Sequence, residues 1–156
     1  LWLSVAGSTD AGQQRDLNQD RFYYKVVQSS DEGVLGLVVV ADGMGGHLGG
    51  EIASRLVIEA FQATYQTLTP ALDPAAGLKA CTEAAHRAIR ERAASDANLK
   101  GMGSTVAAAF LLDGRIHALN VGDSSIYMLR GEEVKQISVD QSWVMDQVRA
   151  GLLSPG

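Results

Sequence analysis

Three aspartates stand where a strand or turn should begin or end. Asp20 opens an aromatic, β-branched segment, Asp42 follows the apolar run 34–41, and Asp123 lies in a tight turn. For any one of these aspartates alone, capping of local amides is an equally good explanation, since aspartate is common in turns for that reason. Three such carboxylates together favour a cation site, because clustered carboxylate oxygens suit hard cations such as Mg²⁺ and Mn²⁺.

The segment after Asp42 is rich in glycine and leads into a helical pattern. Its glycines do not follow the G-x-G-x-x-G spacing, since Gly43 and Gly45 are followed by Leu48, and no Gly-Lys-Ser/Thr closes a Walker loop. An acidic residue at the mouth of this loop would repel a bare phosphate. Phosphate can therefore meet the loop only across a cation.

The chain offers no convincing nucleophile. Cys81 and Arg87 satisfy the C-x5-R spacing of cysteine-dependent phosphatases, but the segment between them has no glycine and contains Glu83. It also falls in a predicted helix with Cys81 on the apolar side, which is typical of an inert structural cysteine. There is no G-x-S-x-G nucleophile elbow either.

The remaining polar candidates are an arginine and three histidines. Arg15 shares a polar loop with Asp20, and its planar guanidinium could grip two phosphate oxygens, although a solvated surface arginine is the simpler interpretation. His47, His86 and His117 have no zinc-ligand spacing, and only His47 lies near the glycine-rich loop.

Hydrophobic periodicity predicts the elements that must position these residues. The strands 22–27 and 34–41 should form an antiparallel hairpin, with the second strand buried on both faces, and Asp42 should stand where that strand ends. Strands followed by two helices and a further run of strands indicate an α+β sandwich. The other predicted strands are 3–6, 104–112, 115–121, 125–130 and 134–137, and the predicted helices are 50–68, 74–95 and 141–151, the last capped by Asp140.

Composition narrows the class of protein. The 156 residues, 46% of them hydrophobic, predict one globular domain over 1–156. The net charge of −5 and the lack of a Lys/Arg-rich run argue against nucleic-acid binding. No run in this chain is long and apolar enough to be a membrane segment, and one cysteine is compatible with the cytoplasm.

Four motifs in order resemble those of the metal-dependent protein serine/threonine phosphatases of type 2C, the PPM family, and especially its bacterial members. The likeness extends from about residue 7 to the end of the chain and includes Asp140-Gln141-Ser142, where family members commonly have Asp-His-Ser. The motifs are Arg15-Asp16-Leu17-Asn18-Gln19-Asp20, Val40-Ala41-Asp42-Gly43-Met44-Gly45-Gly46-His47, Gly101-Met102-Gly103-Ser104-Thr105 and Asn120-Val121-Gly122-Asp123-Ser124-Ser125.

The resemblance implies a sandwich of two antiparallel β-sheets flanked by helices, with a centre for two Mn²⁺ or Mg²⁺ ions at one edge. Asp42 would bridge the two metals, the Gly43 carbonyl would bind one of them, and Asp20 would hold metal-bound water. Arg15 would grip the substrate phosphate, and Asp123 would serve a weaker third metal site. Gln19 stands where other members often carry Glu.

The implied reaction is hydrolysis of phosphoserine and phosphothreonine in phosphorylated proteins. Two cations lower the pKa of a shared water and neutralise the phosphoryl oxygens, so no side-chain nucleophile is needed. The family also has a later Asp-Gly and a terminal Asp-Asn motif, and neither follows Asp123 here. We therefore expect a domain that is incomplete at its carboxyl end; the alternative is a catalytically inactive, phosphatase-like binding or regulatory module.

Overall fold

The computed structural model describes residues 2–13, 17–29, 33–46, 48–67, 73–112 and 114–141. The chain forms strands β1 (Asp20–Ser29) and β2 (Gly33–Met44), helices α1 (Gly49–Thr67) and α2 (Pro74–Ser95), and a short 3₁₀ helix (Ala97–Leu99). Five further strands follow: β3 (Gly103–Ser104), β4 (Val106–Leu112), β5 (Arg115–Val121), β6 (Tyr127–Arg130) and β7 (Glu133–Gln136). These elements confirm the predicted α+β class.

The main sheet has five strands in the order β1-β2-β4-β5, with β3 paired to the far end of β2. Every pairing is antiparallel, and β6 and β7 form a separate two-stranded sheet. The β1–β2 hairpin and the two long helices are confirmed, with α2 at the predicted bounds. The predicted helix 141–151 lies outside the described residues except for Gln141, which is not helical.

One face of the main sheet is covered by α1 and α2. Leu37, Val39 and Ala41 of β2 are fully buried there against Phe61 of α1 and Leu78 of α2. Burial of this apolar surface is the main force that holds the layers together. An ion pair at the edge of this face, Arg21 Nη2 to Glu51 Oε1 at 2.9 Å, joins β1 to the first turn of α1.

The other face of the sheet, which we call the open face, carries the alternate residues of the same strands. Val40 on this face is 47% exposed, and Asp42 is exposed as well. The prediction that this strand is buried on both faces is therefore wrong for its described side chains, because the two long helices that the structure describes cover one face only. The strand also does not end at Asp42 but continues to Met44.

Two other strand predictions are wrong. Residues 3–6 form no strand; they cross the open face as irregular chain, where Leu3 approaches Gly36 and Gly7 approaches Phe22. The predicted strand 104–112 is interrupted at Thr105. The Thr105 amide donates to the Asp42 carbonyl in register, but the Asp42 amide donates to Thr105 Oγ1 and not to the Thr105 carbonyl, so the ladder of backbone bonds is broken there. The last two strands differ from their predicted bounds by one or two residues.

Candidate metal centre

The β1–β2 register places Asp20 directly opposite Asp42. Residues that pair in this way point to the same face of an antiparallel sheet, with Cβ atoms about 4.5–5.5 Å apart. That face is the open one, because neighbouring Ala41 is buried on the helix-covered side. The hairpin therefore brings together two of the aspartates predicted to be metal ligands.

Two glycines allow α1 to begin beside Asp42. A Cβ atom on Gly43 would lie 1.8 Å from the Gly50 carbonyl oxygen, and one on Gly50 would lie 2.7 Å from the Gly43 carbonyl oxygen. Side chains at either position would force the two backbones apart. This close approach sets the amino end of α1, with its partial positive charge, next to the strand that carries the Asp42 carboxylate.

Gly43 is also fixed from the side of β1. Its amide donates to the Gln19 carbonyl at 3.0 Å, while the Gln19 side chain lies against Gly50. Gln19 thus contacts Gly43 through its backbone and Gly50 through its side chain.

The main chain of Asp42 is held by the residues at the β3–β4 junction. Its amide donates to Thr105 Oγ1 at 3.0 Å, and its carbonyl accepts from the Thr105 amide at 2.9 Å and from Ser104 Oγ at 3.1 Å. Asp42 therefore sits on a backbone whose donor and acceptor are both tied to the neighbouring strand.

Asp123 occupies an exposed turn that touches the same junction. Ser124 Oγ lies 2.7 Å from Thr105 Oγ1, and Gly122, at φ +97°, packs against Thr105. Gln141 fixes the outer side of the turn, since its amide donates to the Gly122 carbonyl at 2.8 Å and its Oε1 accepts from the Gly122 amide at 3.3 Å. The turn is thus held firmly beside Thr105.

The described residues do not form a complete set of metal ligands. Among them, no group of three or more His, Cys, Asp or Glu side chains is placed to hold one ion, so Asp123 does not join Asp20 and Asp42 in a single cluster. Arg15 and His47 lie outside the described residues, and their predicted placement stays a prediction.

The donors that are present nevertheless fit Mn²⁺ or Mg²⁺. Asp20 and Asp42 supply carboxylate oxygens and Gly43 supplies a main-chain carbonyl in the same stretch of sheet. Carboxylates, carbonyls and water are the ligands these ions prefer, and Mg²⁺ keeps several waters when a protein gives it few ligands.

The helix side of the molecule contains no alternative reactive group of the cysteine type. Cys81 is fully buried in α2, and this burial raises the pKa of its thiol to about 11. A buried, protonated thiol is a poor nucleophile at neutral pH. The exclusion of a cysteine-phosphatase loop is confirmed; His86 and His117 lie on α2 and β5, on the helix-covered side of the sheet.

The sequence predicted no role for Thr105 and Ser124, although Thr105 ends the motif 101–105 and Ser124 lies in the motif 120–125. The available signal was a Ser104-Thr105 pair directly before the apolar strand Val106–Leu112. Hydroxyl residues at that position have no packing role to play in an apolar strand, which suggests that they bond to a neighbouring backbone.

Comparison with known proteins identifies relatives along nearly the whole chain. The sequence model described as "Protein phosphatase 2C" matches residues 9–147. The serine/threonine protein phosphatase PstP of Mycobacterium tuberculosis is 36% identical over 155 residues, which cover 99% of this chain and 28% of PstP. The serine/threonine phosphatase stp of Listeria innocua is 35% identical over 150 residues, or 94% of this chain and 58% of stp.

Solved structures agree with the sequence matches. The PstP catalytic domain in complex with two manganese ions is 32% identical, with a TM-score of 0.69 over 87% of this chain and 62% of that domain. A bacterial serine phosphatase is 29% identical, with a TM-score of 0.79 over 95% of this chain and 59% of the other. The chain spans less than two thirds of the length of these relatives. Because the family model matches most of its residues, the chain belongs to the protein phosphatase 2C family.

Proposed function

We propose that this chain forms part of a Mn²⁺- or Mg²⁺-dependent phosphatase that hydrolyses phosphoserine and phosphothreonine in proteins. The observation that carries the proposal is the Asp20–Asp42 pair, set opposite each other beside the Gly43–Gly50 contact. The relatives named serine/threonine phosphatases, and the two manganese ions in the PstP structure, support the same activity.

Each site residue has a proposed task. Asp42 and the Gly43 carbonyl would hold two cations, Asp20 would orient water beside them, and Asp123 would serve a third, weaker site. Arg15 would bind two phosphate oxygens through its planar guanidinium. When bound, the cations supply Lewis-acid neutralisation of the phosphoryl oxygens and a lowered pKa for the attacking water.

Direct attack by water suits the groups available in this chain. The buried Cys81 thiol stays protonated at neutral pH, so it offers no competing covalent route. On the open face, no helix of the described residues covers the Asp20–Asp42 pair, which leaves room for a protruding phosphorylated side chain.

The setting of the reaction is proposed on more general grounds. No helix in the described part of the chain is long and apolar enough to cross a membrane. The single cysteine, which fits a reducing compartment, and the phosphorylated proteins proposed as substrates favour the cytoplasm as the site of action.

A second candidate function is a phosphatase-like module that binds partners without catalysis. It is favoured by one observation: within the described residues no three side chains can hold one metal ion. The likeness in sequence and structure to named phosphatases, over most of the chain, supports the enzyme more strongly.

The test is phosphopeptide hydrolysis by the complete gene product, with MnCl₂ and with EDTA. We expect turnover only with the metal, and we expect Asp42→Asn to lower kcat/KM by about a thousandfold or more, since metal ions contribute several kcal/mol to such transition states. Asp73→Asn is the matched control, because Asp73 only caps α2 and asparagine caps equally well.

Two outcomes would decide against the enzyme. Turnover that survives both EDTA and Asp42→Asn would contradict the metal mechanism. A wild-type protein that binds Mn²⁺ in a calorimetric titration but never hydrolyses a phosphopeptide would favour the binding module.

A further inference from the structure

Thr105 is the one described residue that hydrogen-bonds both to the backbone of Asp42 and to the turn of Asp123. Its amide donates to the Asp42 carbonyl at 2.9 Å, and its Oγ1 accepts from the Asp42 amide at 3.0 Å. This reciprocal pair fixes the peptide planes on both sides of the Asp42 Cα. The direction in which the Asp42 side chain leaves the strand therefore depends on Thr105 as well as on the pairing with β1.

The same hydroxyl reaches the second aspartate. Thr105 Oγ1 lies 2.7 Å from Ser124 Oγ, and Ser124 directly follows Asp123 in the chain. The Thr105 methyl adds a packing contact, since a Cβ on Gly122 would come within 2.8 Å of Thr105 Cγ2. Hydroxyl and methyl thus hold the turn together.

Only a hydroxyl can make both polar contacts at once. Thr105 Oγ1 has one proton and two acceptor positions, and the Asp42 amide takes one of these acceptor positions. The proton and the second lone pair remain for Ser124 Oγ, whichever of the two atoms donates. Valine, with the same shape, would break both bonds, while serine would keep them.

We propose that Thr105 is a positioning residue that couples Asp42 to the Asp123 turn, so that cation binding at Asp42 depends on the state of that turn. The inference rests on the proposed function, because it concerns the same metal centre. A residue that orients a ligand without touching the ion typically affects metal affinity or activity by about 10–100-fold.

The experiment compares Thr105→Val, Thr105→Ser and Ser124→Ala in the complete gene product. Mn²⁺ affinity is measured by calorimetric titration, and kcat and KM by phosphopeptide hydrolysis. We expect Thr105→Val to weaken Mn²⁺ binding by about 10–100-fold and to lower kcat while leaving KM nearly unchanged. Thr105→Ser should behave much like the wild type, because it keeps the hydroxyl.

Ser124→Ala tests the coupling directly. We expect a smaller loss of Mn²⁺ affinity than for Thr105→Val, and the double variant Thr105→Val/Ser124→Ala should be no worse than Thr105→Val alone. Non-additivity of this kind marks two residues that act through one shared contact. Thermal unfolding of each variant shows whether a loss of affinity reflects a loss of fold.

Several results would overturn the coupling: Mn²⁺ affinity unchanged by Thr105→Val, no rescue by Thr105→Ser, or fully additive losses. These results are separable from failure of the proposed function. A wild-type protein that binds Mn²⁺ without hydrolysing phosphopeptide overturns the enzyme, while its titrations still decide the coupling. A wild-type protein that binds no Mn²⁺ overturns both.

Discussion

The two faces of β2 carry alternate residues of one strand and use them for different purposes. Leu37, Val39 and Ala41 point under the helices and are fully buried, whereas Val40 and Asp42 point to the open face and are exposed. The helix-covered face provides stability through apolar burial. The open face carries the carboxylates that would meet a cation.

The register between β1 and β2 decides which side chains lie on each face. Side chains alternate along a strand, so a slip of one residue between β1 and β2 would move Arg21, in place of Asp20, opposite Asp42 and carry each β1 side chain to the other side of the pair. The buried face resists such a slip, because it would expose the core. Stability of one face therefore protects the geometry of the other.

The largest expected effect lies on the helix-covered face. Phe61→Ala removes a fully buried ring from the main core, and we expect the free energy of unfolding to fall by about 3–5 kcal/mol. Val40→Ala on the open face should cost about 1 kcal/mol or less, because its side chain is 47% exposed. Urea unfolding followed by circular dichroism measures both.

Equal losses for these two variants would contradict this division between a buried face and an exposed one. They would mean that Val40 is covered in solution and that the open face is a second core.

An intermediate loss of stability is expected at Gly43, where β2 contacts the first turn of α1. A methyl group at this position would lie 1.8 Å from the Gly50 carbonyl oxygen, so Gly43→Ala must displace the first turn of α1, at about 1–3 kcal/mol of unfolding free energy. We also expect weaker Mn²⁺ binding by calorimetry.

Gly46→Ala is the control for Gly43→Ala, because a Cβ at Gly46 meets no heavy atom within 4 Å. A change within about 0.5 kcal/mol is expected there. Similar losses at both glycines would show that loop flexibility matters more than the helix–strand contact.

The smallest expected effect is a pH dependence carried by Cys81. Burial raises its pKa in the folded protein from 9.0 to about 11. Between these values the unfolded chain loses the thiol proton while the folded chain keeps it, so unfolding becomes easier as pH rises, by up to about 1.4 kcal/mol per pH unit. The stability that depends on the protonated Cys81 thiol is fully present below pH 9 and is lost as the pH rises towards 11.

Urea unfolding at pH 8 and pH 10 measures this contribution. Between these two pH values, the free energy of unfolding of Cys81→Ala should fall by about 1 kcal/mol less than that of the wild type. An identical loss in both proteins would show that the thiol does not stay protonated in the fold.

Much of the fold could be predicted because its signals are local. The β-branched run at Val38–Val40 and the aromatic run beginning at Phe22 indicated the hairpin, and spacings of three and four indicated α1 and α2. The four motifs gave the family. These features depend on neighbours in sequence, which a single chain displays.

The parts that could not be predicted depend on residues far apart. The strand is interrupted at Thr105 because its hydroxyl, in place of its carbonyl, accepts from the amide of Asp42, 63 positions earlier. Residues 3–6 have a strand-like composition, but they lie across the open face, where Leu3 meets Gly36. The opposition of Asp20 and Asp42 required the register, which the hairpin prediction alone did not specify.

The hairpin register also bears on the entropy of metal binding. Asp20 and Asp42 would close a loop of about 22 residues if a cation had to collect them from a flexible chain, and the length-dependent part of that closure costs about 3 kcal/mol. The ladder between β1 and β2 completes the closure during folding. The two carboxylates thus behave as a preassembled chelator, and a cation arriving at them would gain its affinity without ordering the chain that connects them.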